Sequence, residues 1–271
     1  MSPFDSAQSA QAIVAAYARL SRTIDGWNRE APFLINCYRT YDKLLNIIKA
    51  GGPYKRMLDL GCGTGLQTEF LAGISGDVVA VDISAESIRV ARGRCCHLRN
   101  AAFQVQDARR LSFAEETFDC VVSYGDVLSH IVDGFEDVVS ELRRVTVPGG
   151  VISLEMDNKW TLGLLNQPRE VWSAVTTRGG HDTRSWEGMR FKTFTRPEIA
   201  RLLGRHGFEI LHVHGHNILA SAVPDRHLLE QGNRSLLGRA ALALGSADLS
   251  LSDVFPFNRF GYNMIVTAVR K

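Results

Sequence analysis

No apolar run in this chain approaches the roughly 20 residues that a membrane-spanning helix needs, so stable membrane insertion is not expected. Charge of one sign is also scarce. Lys and Arg number 31 against 29 Asp and Glu, a formal net charge of +2, which supplies neither a field for nucleic acid nor an acidic tail. The five cysteines, Cys37, Cys62, Cys95, Cys96 and Cys120, are odd in number and include no Cys-x-x-Cys. Neither a disulfide framework nor a structural zinc site is therefore expected, and they read as buried thiols. The first eight residues lack a basic region followed by an apolar core, which predicts a cytoplasmic protein. Internal repeats and low-complexity segments are missing as well. The 271 residues suit one large domain with insertions, or one domain and a small cap, with a substantial core.

What is present is concentrated in Met57-Leu-Asp-Leu-Gly-Cys-Gly-Thr-Gly-Leu66. The run before Gly61 predicts a buried parallel strand, and Leu66 to Ala72 the start of a covering helix. Gly61, Gly63 and Gly65 can take positive φ and let a ligand lie against bare backbone beside unpaired helix N–H groups. A dinucleotide fingerprint read from Gly61 needs glycine at position 66, where this chain has Leu66. Val78 to Asp82 is a second apolar strand closed by an acid, where a carboxylate can accept both hydroxyls of a ribose. Phe103 to Asp107 reads as a third strand ending in an acid, followed by Ala108. Phe118 to Tyr124 is a fourth, running into a loop with Asp126 and His130. Pro148-Gly-Gly150 is a turn before a fifth. Thr195, Pro197 and Glu198 form a helix start that predicts a helix to His206, ended by Gly207. Phe208–Val213 and Tyr262–Val269 make seven strands.

This order of landmarks, close over residues 55 to 157, resembles the class I S-adenosylmethionine (SAM) dependent methyltransferases of small-molecule type. The resemblance implies a doubly wound α/β fold, with a seven-strand sheet in the order 3-2-1-4-5-7-6 and the last strand antiparallel. It implies SAM as cofactor, cradled by Asp59, Gly61, Cys62, Gly63 and Gly65. Asp82, followed by Ile83, would hold the ribose. Asp107 would meet the adenine amino group and the Ala108 N–H a ring nitrogen, while Tyr124 would stand at the methyl-transfer face. Arg39-Thr40 is locally similar to the segment before the glycine loop in the glycine N-methyltransferase group, where the arginine holds the SAM carboxylate. A surface arginine on an amphipathic helix is the alternative. Gly125-Asp-Val-Leu-Ser-His130 resembles the Gly-Asn-Ser-Phe-Ala-His pattern of glycine and sarcosine methyltransferases, with Asp126 in place of their asparagine.

Residues 1–50 are expected to form a helical lid of two helices separated at Gly26, ahead of a SAM-binding domain over 51–271 with cap insertions at about 158–192 and 217–257. Trp160, Trp172, Trp186 and Arg184 in the first insertion could stack on a flat ring and pair with an acidic group, or simply fix a loop to the core. Leu236–Leu244 in the second is an apolar helix, better suited to a lid or a homodimer face than to anionic lipid. His130 is the candidate catalytic group, with Asp126 beside it and Tyr17 able to close from the N-terminal helix; a structural role is the alternative for each. His212, His214 and His216 alternate along one strand, but solvated edge histidines are commoner than a metal site, and no metal is expected. Cys62, Cys95 and Cys96 do not converge as a thiophilic site. The Asp/Asn-Pro-Pro-aromatic turn of DNA amino-methyltransferases is missing after the fourth strand. The expected activity is methyl transfer by direct displacement to a small-molecule N- or O-acceptor, aromatic or acidic. The alternatives are a lipid or quinone acceptor and a non-catalytic SAM-binding regulator.

Overall fold

The computed structural model describes residues 3–21, 23–180, 184–186, 189–230 and 234–271. Helices α1 (Pro3–Leu20), α2 (Ile24–Glu30) and α3 (Pro32–Ala50) precede β1 (Tyr54–Leu60), α4 (Leu66–Ala72), β2 (Ser75–Asp82), α5 (Ala85–Arg94), β3 (Ala101–Val105) and β4 (Phe118–Ser123). Then come α6 (Val127–His130), α7 (Phe135–Val145), β5 (Thr146–Asp157), α8 (Pro168–Thr176), β6 (Arg184–Trp186) and β7 (Met189–Phe191). The chain closes with α9 (Arg196–Arg205), β8 (Phe208–His216), α10 (Leu236–Leu251) and β9 (Asn263–Arg270).

Seven strands form one sheet in the order β3-β2-β1-β4-β5-β9-β8, with β9 antiparallel to both neighbours. Counting only the strands of this sheet gives 3-2-1-4-5-7-6, the order that the resemblance implies. The alternation of β1 explains why helices must cover both faces. Met57 packs with α3 and α4, whereas Leu58 and Leu60 pack with α7 and α9 on the other side. The predicted capping box is formed: Glu198 N donates to Thr195 Oγ1 and the Glu198 carboxylate accepts from Thr195 N. Gly207, at φ +76°, follows the helix end. The Pro148-Gly-Gly150 segment lies inside β5 as an irregularity, so that Phe118 pairs Thr146 but Cys120 pairs Val151.

Three expectations need correction. The N-terminal region holds three helices, because the Gly26 segment is itself helical within α2. Asp107 lies beyond β3, in a turn bridged to Arg110, because its carboxylate takes the Arg109 backbone N–H and draws the chain out of the sheet. The three alternating histidines do not share an environment: a register shift falls between Ile210 and His212, His212 is exposed, and His214 and His216 are buried.

The second insertion docks on α3. Asn36 Nδ2 donates to the Ala241 carbonyl at 3.1 Å and Lys43 Nζ to the Leu249 carbonyl at 3.0 Å. Close approach is possible because position 245 has no side chain; a Cβ there would sit 2.1 Å from Asn36 Cγ. Gly→Ala in an unencumbered helix stabilises by about 1 kcal/mol. Gly245→Ala should instead destabilise by about 1–3 kcal/mol, because Asn36 is buried and already bonded. Urea unfolding of the two proteins checks the sign.

Candidate functional site

The carboxyl ends of β1, β2, β4 and β5 open onto a cavity of about 400 Å³, the position where open α/β sheets place ligands. Its floor is the loop after β1. Gly61 N and Cys62 N both donate to the Val81 carbonyl, which ties the loop to β2. Gly61 is required sterically, since a Cβ there would lie 2.1 Å from Val127 Cγ2. Gly63 has φ +52° and nothing within 4 Å of its Cβ direction, so bare backbone faces the cavity. Asp82 is held ready beside it: Oδ2 accepts from Gly63 N at 2.9 Å and Oδ1 from Ser84 N at 2.8 Å. Burial pushes its carboxyl up, against those two backbone bonds. Each oxygen keeps a second lone pair for a ligand hydroxyl. Cys62, Ile83, Asp107, Ala108 and Tyr124 also line the cavity.

Three predicted cofactor residues lie off this wall. Asp59 is buried beneath the loop, where it accepts from Thr68 Oγ1, and burial pushes it up to about 7. Gly65 packs against Ala91 and Cys95 of the α5 region. Arg39 turns to α10, where its Nη1 donates to the Leu242 carbonyl at 3.2 Å. Asp107 is on the wall but engaged by Arg109, with the closest contact at 2.6 Å. Burial pushes that carboxyl up, and the Arg109 hydrogen bonds outweigh it and hold it below the usual range.

The three candidate catalytic groups converge. Tyr17 Oη lies 2.9 Å from His130 Nε2, across 113 residues of chain. The Phe191 ring packs against the imidazole at 4.5 Å between centroids. Burial pulls His130 down to about 4, so it is neutral near pH 7. Its Nδ1 is buried and has no hydrogen-bond partner among the described residues. Asp126 adopts φ +61°, a left-handed conformation that Asp tolerates better than most residues, and its Oδ1 accepts from Asn263 Nδ2 at 2.5 Å. Its carboxyl is pushed up first by burial and then by Glu155 and Asp157.

Glu155 and its partners escaped the sequence. This carboxylate is 1% exposed and sits near the end of β5. Oε2 accepts from Tyr41 Oη at 2.6 Å and from Gly125 N at 2.5 Å, and Oε1 lies 2.5 Å from His216 Nε2. The Tyr41 ring stacks on Tyr124 at 4.8 Å. An acid inside the apolar run Ile152-Ser-Leu-Glu-Met156 is a signal that could have drawn attention to it. One Glu155 oxygen, Cys37 Sγ and a His216 ring nitrogen lie within 4.8 Å of one another. Within it Glu155 and His216 are bonded to each other, and Cys37 Sγ accepts from Asn217 Nδ2 at 3.3 Å.

The tryptophans are not brought together at the cavity. Trp160 is 42% exposed and Trp172 is 74% exposed, and neither lines it. Arg184 and Trp186 lie on β6, and their side chains fall outside the described residues. The insertion contributes Gln167, Glu170 and Phe191 to the cavity instead.

A family model described as a methyltransferase domain matches residues 57–150. Among curated relatives, the demethylmenaquinone methyltransferase of Corynebacterium urealyticum is 38% identical over 38% of this chain and 41% of its own length. The malonyl-[acyl-carrier protein] O-methyltransferase of Salmonella typhimurium is 27% identical over 55% of this chain and 60% of its own. The chain spans 41% to 66% of the length of the first curated relatives it matches. The structure of the magnesium protoporphyrin IX methyltransferase of Synechocystis PCC 6803 with bound SAH superposes with a TM-score of 0.58 at 18% identity, covering 89% of this chain and 86% of that one. These similarities do not reproduce the local likeness to the glycine and sarcosine group.

Removing the Glu155 carboxylate leaves Tyr41, Gly125 and His216 facing a buried gap. Glu155→Ala should cost about 3–5 kcal/mol, and Tyr41→Phe about 1 kcal/mol, both read by urea unfolding. His130 carries a pH signature. Its folded pKa lies below the ordinary 6.5, so the unfolded chain binds more protons between pH 4 and 6.5 and stability falls as pH drops through that window. His130→Asn should remove up to about 3 kcal/mol of that acid loss, seen by comparing its unfolding free energies with wild type at pH 7 and pH 4.5.

Proposed function

We propose that this chain, whose fold and motif order are those of the class I SAM-dependent methyltransferases, binds SAM in the Gly61–Asp82 cradle and transfers its methyl group to a small molecule held beneath Tyr17 and His130. The single observation that carries this is that one cavity joins the bare backbone at Gly63 and the Asp82 carboxylate to the Tyr17–His130 pair. The cradle fits the cofactor: a backbone face that any Cβ would intrude upon, and a pre-oriented carboxylate with lone pairs to spare. SAM, when bound, supplies a methyl group already activated on a sulfonium, so the protein's tasks are alignment and exclusion of water.

The residues suit those tasks. Residues 1–50 act as a lid, since Ile13, Tyr17 and Ile24 line the cavity from outside the sheet. Tyr17 and His130 hold each other, so their hydrogen-bond direction fixes what Nδ1 can do. If Tyr17 donates to Nε2, Nδ1 carries the proton and donates to an acceptor atom. If Nε2 donates to Tyr17, Nδ1 is a lone pair that can take a proton from it. Asp107 and Arg109 form the adenine end as a locked pair. The α10 contacts of Arg39 favour a structural role over one as a ligand of the cofactor carboxylate.

A quinone or lipid acceptor is the second reading, favoured by the apolar part of the lining, including Phe33, Leu34 and Leu229, and by the similarity to a demethylmenaquinone methyltransferase. A labelled-methyl screen across amines, phenols, carboxylic acids and quinones, preceded by calorimetry with SAM, tests the proposal. Binding without transfer to any class would turn the assignment to a SAM-binding regulator. Gly63→Val should weaken SAM by at least about 100-fold, some 2.7 kcal/mol, while circular dichroism stays native. Unchanged affinity in the folded variant would place the cofactor elsewhere.

A further inference from the structure

The part of the cavity beyond the cofactor cradle is acidic on an apolar frame. Asp126, Asp133 and Asp157 line it around His130, and Glu170 and Asp225 stand in the same wall. Among the described lining residues the only arginine or lysine is Arg109, and Asp107 already holds it. No described cation is therefore left to receive an anionic acceptor; Arg184, expected to pair with an acidic group, has its side chain outside the described residues. One buried acceptor atom points to a donor-bearing ligand. Asp133 Oδ2 has no hydrogen-bond partner among the described residues, and neither has the buried His130 Nδ1, which accepts when Nε2 carries the imidazole proton. A ligand N–H would satisfy the Asp133 oxygen. The field has a reporter in Tyr17, whose hydroxyl is held protonated first by burial and then by Asp82, Asp126 and Asp157. Walls of Ile13, Phe33 and Phe191 leave room for an apolar body.

We propose that the acceptor is an organic amine with an apolar body, drawn in as an ammonium ion by the acidic wall around His130, with Asp133 as its anchor, and methylated on nitrogen. This rests on the methyltransferase reading and names its substrate class. The ammonium loses one N–H proton to a lining carboxylate and thence to water. The freed nitrogen lone pair forms the bond to the methyl carbon as the sulfur–methyl bond breaks, and that electron pair stays on sulfur. The product is a methylated ammonium ion and a neutral thioether, with one proton released.

The test is calorimetry on the whole chain saturated with S-adenosylhomocysteine, using phenethylamine, phenethyl alcohol and phenylacetate as probes that share one ring and differ in the head group. The amine should bind at least about tenfold tighter than the alcohol, and phenylacetate weakest, as charge in a partly desolvated site requires. Asp133→Asn should lower amine affinity about tenfold and leave the alcohol and S-adenosylhomocysteine unchanged. Alcohol or phenylacetate binding as tightly as the amine would overturn the proposal, as would no amine binding at all, and would return the acceptor to the phenol, acid or quinone classes. Loss of S-adenosylhomocysteine binding in the wild-type chain is a separate result that defeats the methyltransferase reading itself.

Discussion

The arrangement of the site depends on one buried carboxylate. Glu155 is buried near the end of β5, where an ion without partners would be costly. Its donors come from α3 (Tyr41), from the loop after β4 (Gly125 N) and from β8 (His216), positions that are up to 175 residues apart in the chain. Satisfying one side chain therefore fixes three segments against each other. Tyr41 is positioned to stack on Tyr124, the Gly125–Asp126 turn is held at the mouth of β4, and α3 becomes the platform on which α10 docks. The docking of α10 then accounts for Arg39, whose guanidinium completes that interface instead of reaching the cavity.

How much of this was legible depends on whether the determining contact is local. The seven strands, the glycine loop and the Thr195 cap were readable because periodicity, a tight loop and a capping box are written within a few consecutive residues. Asp82 was readable for the same reason, since its partner Gly63 belongs to the glycine loop and Ser84 lies two residues after Asp82 itself. Asp107 was legible as a position but not in its state, because the Arg109 guanidinium that engages it folds back across a turn mistaken for strand. Glu155, Asn263 and the docking of Arg39 were illegible, since each is defined by a partner from another part of the chain. The tryptophans show the limit of composition. Three in one insertion suggested a lined pocket, yet the direction of a side chain is set by packing, and the two that can be placed, Trp160 and Trp172, do not line the cavity.

Tyr17 and His130 were both candidates, and their pairing at 2.9 Å joins the N-terminal region to the proposed acceptor site. Helix α1 carries Ile13, Ala16 and Leu20 into a small cluster with Met189 beside β7. Among the described residues that cluster has fewer members than the cores on either face of the sheet. On the proposed reading, a helix with a small described cluster that carries one half of a polar pair suits a lid.

On the proposed reading, in which α1 is a lid, electrostatics ties it to the acidic wall of the cavity. After burial, Glu155 and Asp157 raise the proton affinity of Asp126, and the same three carboxylates act on Tyr17. Closing α1 over them removes water, which strengthens their mutual repulsion together with every other interaction inside. Positive charge in the cavity relieves that repulsion, and the relief is greatest in the closed state, where screening is least. Closure and cation binding are therefore linked with a favourable sign, and by reciprocity whatever holds α1 down also tightens the hold on a cation. The pocket's acidity, costly while it is empty and closed, makes closure conditional on what has entered.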